Sequence, residues 1–101
     1  MLAQYAARHQ HSLSFAVLAD SAKILVSPHN PSGPVSTAAS IAICAAMPNF
    51  SILEYQLGEA SWRGTLIEPA ETFINGAIAV NDRPGIGITL NEAVLAQYLI
   101  N

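Results

Sequence analysis

The sequence predicts an α/β fold built on parallel strands, and three observations carry that expectation. Two short apolar runs, "ILVS" at 24–27 and "FSILEY" at 50–55, lack the alternation of a half-exposed strand, which suits strands buried on both faces. Between them lies an alanine-rich run, "PVSTAASIAICAAM", long enough for a crossover helix. Hydrophobic residues make up 51% of the 101 residues and charged ones 11%, too apolar a balance for a disordered chain.

Residues 1–23 read as helical. Leu2, Tyr5 and Ala6 give a weak apolar face, and Phe15, Leu18, Ala19 and Ala22 a better one. Ser12 or Ser14 can cap a second helix there, and Lys23 suits the negative end of its dipole. Residues 24–27 form the first strand. The loop "SPHNPSGPVS" follows, holding His29 among three prolines and a glycine. Pro34 fits the first helical position, where its missing N–H costs nothing. The helix runs to about Met47 and Pro48 stops it. Its small residues, Ala38, Ala39, Ala42, Ala45 and Ala46, let it lie close to a sheet. Residues 50–55 form the second strand, and a strand, helix and strand of this length make a right-handed βαβ unit with parallel strands.

The pattern changes after Tyr55. "QLGEASWRGTLIEPAE" reads as an irregular segment. "TFINGAIAV" reads as a hairpin turning at Asn75-Gly76, a pair that favours the positive φ angles of a tight hairpin turn. "NDRPGIGITLNE" is turn-rich and extended. Asn91 caps a last helix, "EAVLAQYLI", with Glu92 in its first turn.

Length allows one domain or a piece of one. The net charge is −3 and there is no run of Lys or Arg, which removes the electrostatic basis for nucleic-acid binding. No stretch approaches the roughly 18 apolar residues of a membrane helix. The apolar part of "SFAVLAD" is too short, and what precedes it too polar, for a signal peptide. A lone cysteine, Cys44, sits in an apolar run; it reads as a core residue, excludes a disulfide within the chain, and suits a reducing, cytoplasmic location. The chain is nonetheless rather apolar for a small free-standing domain, which must cover a large surface with polar groups. That favours packing against further protein, or self-association through an apolar surface.

In parallel α/β folds the functional side chains gather at the C-terminal ends of strands. His29 and Glu54 both fall at such ends, 25 residues apart, about one βα unit. An imidazole and a carboxylate at one mouth can do general acid–base work. The plainer alternatives are a histidine bonded to a backbone carbonyl and a solvated glutamate. The helix start at 35–37 would aim N–H groups at the same mouth, favouring an anion such as a substrate carboxylate. His9 and His11 form an HxH pair, which can hold a metal, but at helical spacing they diverge and read as exposed. Trp62 and Arg63 could close over a site; core packing for the first and a surface charge for the second are the simpler expectations. "RPGIG" at 83–87 is not the dinucleotide fingerprint, because it does not sit between a strand and a helix.

Taken together, "SPHNPSGPVSTAAS", "PNFSILEYQLGE" and "DRPGIGITLNE" resemble the C-terminal part of the enolase superfamily. The likeness is to its mandelate racemase-like branch, and within that to acid-sugar dehydratases of the D-galactonate dehydratase kind, over roughly residues 18–101. The resemblance implies a fragment of a (β/α)8 barrel. Residues 1–64 would hold the last βα units and 65–101 a return segment toward a capping domain, with the hairpin and a terminal helix. Residues 24–27 and 51–53 would then be the seventh and eighth barrel strands.

It further implies that His29 acts as general base or acid, in a dyad with an aspartate. Glu54 would help stabilise the enediolate formed after proton abstraction beside a carboxylate. The family's cofactor is Mg2+, and its ligands lie on the third, fourth and fifth strands, which this chain lacks. The dyad aspartate belongs about 30 residues before His29, one βα unit upstream, and no aspartate precedes Asp20. The expectation is therefore a fragment, or a truncated or frame-shifted reading, of a sugar-acid dehydratase. It would be inactive alone and dependent on missing barrel and cap segments. The alternative is a non-catalytic module that oligomerises through its apolar surface.

Overall fold

Proline placement sets the helix that organises the chain. In the computed structural model, which describes the backbone of residues 2–99 and the side chains of residues 12–99, helix α2 spans Pro34–Cys44. Gly33 is its extended N-cap and Pro34 stands in its first turn. The helix ends at Cys44, earlier than the expected Met47, and the Met47 N–H closes a turn on the Cys44 carbonyl at 3.1 Å. Met47 precedes Pro48, and a residue before proline is driven out of helical backbone.

Helix α1 is one continuous helix, Leu2–Ser21, so neither Ser12 nor Ser14 starts a second one. It terminates in a Schellman motif. Lys23 adopts a left-handed φ of 59°. Its N–H bonds the Asp20 carbonyl at 2.9 Å, and the Ile24 N–H bonds the Ala19 carbonyl at 2.9 Å. Lys23 thus lies just beyond the helix, and its backbone completes the end of it. Of the expected apolar face, Ala19 is buried with Ala16, whereas Phe15 and Leu18 are exposed together with Val17. The helix is apolar nearly all round over 13–19, the pattern of a helix packed on more than one side; α2 covers one of those sides.

The two apolar runs pair in parallel as expected, through a single bridge between Val26 and Phe50. The Val26 N–H donates to the Asn49 carbonyl at 2.8 Å, and the Ser51 N–H to the Val26 carbonyl at 3.0 Å. The expectation of strands buried on both faces does not hold. Ile24, Leu25 and Ile52 are 58%, 67% and 68% exposed. Two strands and one crossover helix supply neither the neighbouring strands nor the second layer that such burial needs. Asn49 fastens this unit together, its Nδ2 donating to the Ala16 and Ile24 carbonyls at 2.9 Å each.

The irregular segment contains structure that the sequence pattern did not reveal. A short helix α3, Arg63–Leu66, leads into strand β1, Ile67–Glu68. The hairpin forms where expected, with β2, Phe73–Ile74, paired antiparallel to β3, Ala77–Ile78. Its turn residues Asn75 and Gly76 have φ of 50° and 78°, the type I′ signature. Gly87, at φ 77°, is pressed against the Asn81 amide, so a β-carbon there would collide with it. Strand β4, Thr89–Leu90, returns antiparallel to β1. Helix α4, Glu92–Gln97, is capped by Asn91 Oδ1, which accepts from the Val94 N–H at 3.2 Å. Trp62 is half-buried against Tyr98, ring centroids 5.8 Å apart, and ties α3 to α4.

The interior is small and unusually polar. Ala38, Cys44, Met47 and Ile67 are buried, yet so are Asn30, Thr37, Ser40, Asn49 and Arg63. The arginine expected as a surface charge is 7% exposed.

Candidate active site

Parallel pairing carries the ends of both strand segments to one side of the chain, and His29 and Glu54 stand there. His29 Nδ1 lies 2.6 Å from Glu54 Oε2. The imidazole is 80% exposed and the glutamate side chain 43%, so water screens the pair and its worth to stability is small. Its interest is geometric. A carboxylate only accepts, so Nδ1 carries the proton and donates, which leaves Nε2 as the nitrogen turned to a ligand. His29 also lines an open groove of about 310 Å³ between α1 and α2, together with Phe15, Ile43 and Met47.

Beneath the pair, the proline-rich loop is fixed by Asn30, which is 2% exposed. Its backbone N–H donates to Glu54 Oε2 at 3.0 Å and its Nδ2 to the Glu54 carbonyl at 3.2 Å. Nδ2 also reaches Thr37 Oγ1 at 2.9 Å, while Oδ1 accepts from Ser36 and Ser40 at 3.4 and 3.5 Å. Thr37 is fully buried. Its hydroxyl donates to the Gly33 carbonyl at 3.2 Å and accepts from Arg63 Nη2 at 2.8 Å.

Arg63 joins this loop to the return segment. Its Nη1 donates to the Ser32 carbonyl at 2.8 Å. Its Nη2 and Nε make a forked pair with Glu71 at 3.0 and 3.1 Å. Nε also reaches the Tyr55 hydroxyl at 2.9 Å, and the guanidinium carbon lies 4.5 Å from the centre of the Tyr55 ring. The Tyr55 hydroxyl donates to Glu71 Oε2. Both ion-pair side chains are buried, at 8% and 7% exposure. Burial opposes the charge on Arg63, but its hydrogen bonds to Glu71 and Tyr55 outweigh that and hold its pKa above the usual arginine range. Burial, then the Glu71 carboxylate, push the Tyr55 phenol upward. Burial likewise pushes up the Cys44 thiol.

The structure therefore brings together the two residues singled out from the sequence and adds Asn30, Thr37, Tyr55, Arg63 and Glu71 under them. Asn30 had a signal in the sequence, as the polar neighbour of His29 in a rigid loop. For Arg63 the signal is scarcity: only four Lys or Arg occur among 101 residues. The HxH pair, His9 and His11, lies outside the residues whose side chains are described. Among the described residues no cluster of three or more His, Cys, Asp or Glu could hold a metal ion, and no helix is long and apolar enough to cross a membrane.

Comparison with known proteins finds relatives of this chain. The model of a family described as enolase C-terminal domain-like matches residues 9–94. The D-xylonate dehydratase of Haloferax volcanii is 35% identical over 85 residues, which is 84% of this chain and 21% of that protein. A D-galactonate dehydratase family member from Streptomyces bingchenggensis is 33% identical over 90 residues, 87% of this chain and 22% of its own length. The chain thus spans about a fifth of these relatives. Solved structures that resemble it include mandelate racemase/muconate lactonizing enzyme-like proteins. Another, described as a putative L-alanine-DL-glutamate epimerase from Burkholderia xenovorans strain LB400 bound to magnesium and fumarate, has a TM-score of 0.81 and 31% identity, covering 89% of this chain and 22% of that one.

Proposed function

Because the chain belongs to the enolase C-terminal domain-like family, whose members are (β/α)8-barrel enzymes, we propose that it supplies the closing strands of a sugar-acid dehydratase. Such an enzyme abstracts the proton beside a substrate carboxylate and expels water. The observation that carries the reading is the 2.6 Å contact of His29 Nδ1 with Glu54 Oε2 at two parallel strand ends. Glu54 orients the imidazole through Nδ1, and Nε2 takes or gives the proton. In the whole enzyme Glu54 would also help stabilise the enediolate, and the dyad aspartate would come from the strand upstream of residue 24. Sugar-acid relatives support the substrate class.

Residues 1–64 form the barrel part in this reading, and 65–101 the return segment. Magnesium is the proposed cofactor of the whole enzyme, supported by the magnesium-bound neighbour; it would stabilise negative charge building on the substrate. The described side chains do not fit a magnesium site, so its ligands would come from other segments. The buried, free Cys44 goes with a reducing, cytoplasmic setting. The isolated chain is inactive in this proposal, since two strands cannot close a barrel.

A chimera tests it. Residues 12–99 replace the matching segment of the Haloferax D-xylonate dehydratase, and the product is assayed with magnesium and a panel of sugar acids. Turnover that disappears with His29→Asn is expected. A folded chimera whose turnover is untouched by His29→Asn overturns the assignment. Turnover by the 101-residue chain alone overturns the claim of inactivity.

A second reading, a non-catalytic module that associates through its apolar surface, is favoured by the exposure of Phe15, Leu18, Leu25 and Ile52. It requires a defined oligomer with a cooperative melt indifferent to magnesium. Sedimentation with thermal melts distinguishes it.

A further inference from the structure

We propose that the buried chain Asn30–Thr37–Arg63 positions the His29–Glu54 pair, with the Thr37 hydroxyl as the joint between its two arms. The inference rests on the reading of that pair as catalytic. One arm grips Glu54 directly. The Asn30 backbone N–H holds its carboxylate, which cannot swing without losing that bond, and Nδ2 holds its main-chain carbonyl, which fixes the strand end. The orientation of the Asn30 amide is itself set, with Ser36 and Ser40 donating to Oδ1. The other arm comes from the return segment, where Arg63 braces the histidine loop at the Ser32 carbonyl and at Thr37 Oγ1. Glu71 fixes Arg63 and also accepts from the hydroxyl of Tyr55, the residue next to Glu54. Loop and strand end are thereby referred to one ion pair.

An apolar core of the same volume would serve stability as well or better. What a satisfied polar network adds is one fixed arrangement of the groups it holds. Asn30, Thr37 and Arg63 touch no substrate atom in this scheme; they act through Glu54 and the His29 loop and are positioning residues.

The test reads geometry without turnover, in the 101-residue chain. A neutral histidine is a mixture of two tautomers, which nitrogen NMR distinguishes; a His29→Gln variant assigns the signal. Donation to Glu54 requires the Nδ1–H form, whereas an unconstrained imidazole favours Nε2–H. The wild-type chain and Thr37→Ser, which keeps the hydroxyl, are expected to show mainly Nδ1–H. Thr37→Val, which keeps the shape and loses the hydroxyl, is expected to revert to mainly Nε2–H, as is the control Glu54→Ala. A residue that only filled the core would change the melt and leave the tautomer alone.

Retention of Nδ1–H in a cooperatively melting Thr37→Val overturns the proposal. So does its loss in Thr37→Ser to the same extent. Where Thr37→Val fails to melt cooperatively, the double variant Ser36→Ala/Ser40→Ala decides. It releases Asn30 Oδ1 without opening the core, and an unchanged tautomer there overturns the proposal. A negative result leaves the dehydratase reading standing, and a failed chimera leaves the tautomer result standing.

Discussion

Arg63 is buried and bonded to three separate segments of the chain. Arg63→Met strands the Glu71 carboxylate in a buried site and removes the brace on the histidine loop. The expected loss is about 3–5 kcal/mol, read by urea unfolding. Tyr55 makes a second prediction, in pH. Its folded-state pKa lies above the unfolded value near 10, so the folded state keeps its proton longer. Its contribution is complete below about pH 10 and is lost as pH rises through the folded value. Cys44, raised in the same sense, adds to the loss from about pH 9. Thermal melts across pH 8–11 should fall at the alkaline end, and Tyr55→Phe should flatten that fall while lowering the pH 8 melt. At this scale His29 and Glu54 were legible, because strand-end position follows from chain order alone. Arg63 was not. Whether an arginine is buried depends on its partners, and Ser32, Tyr55 and Glu71 come from three separate segments with no periodic relation to it.

Among the elements, those specified by local backbone chemistry were readable. Pro34 opens α2, Asn75-Gly76 turns the hairpin, and Asn91 caps α4. Each depends on one or two residues and their own φ and ψ. The pairing of β1 with β4 depends on two-residue strands far apart in the chain, too short to carry a hydrophobic period. The end of α1 was misread for a related reason. Lys23 was read for its charge alone, and the chain also uses it as the left-handed residue of a Schellman motif, a place glycine fills at less steric cost. Lys23→Gly should relieve the αL penalty, in part offset by a freer unfolded chain. The expected net gain is about 0.5–1 kcal/mol, a rise in Tm of about 2–8 °C by calorimetry.

For the molecule as a whole, the α/β class and the parallel unit could be read from the sequence, while the burial could not. Buried-strand patterning reports the environment for which a strand is suited, and the described residues supply little of it, leaving Ile24, Leu25 and Ile52 exposed. Leu25→Lys with Ile52→Lys should therefore cost the isolated chain little, since both side chains are largely exposed. The same pair should lower its self-association by sedimentation and its binding of hydrophobic dyes. In the chimera it should abolish assembly.

Among the described residues the parallel pair is a short one, bridged at Val26 and Phe50 and supported by the Asn49 side chain. A polypeptide that docks beside it would bind the folded chain and not the unfolded one. Mass action then makes the stability of the chain depend on that partner's concentration, rising by about 2.7 kcal/mol when the partner stands at a hundred times its dissociation constant. A melting temperature measured on this chain alone marks the lower end of a titration curve. Its increase with the logarithm of added complementary segment would give the affinity of one part of the barrel for the other.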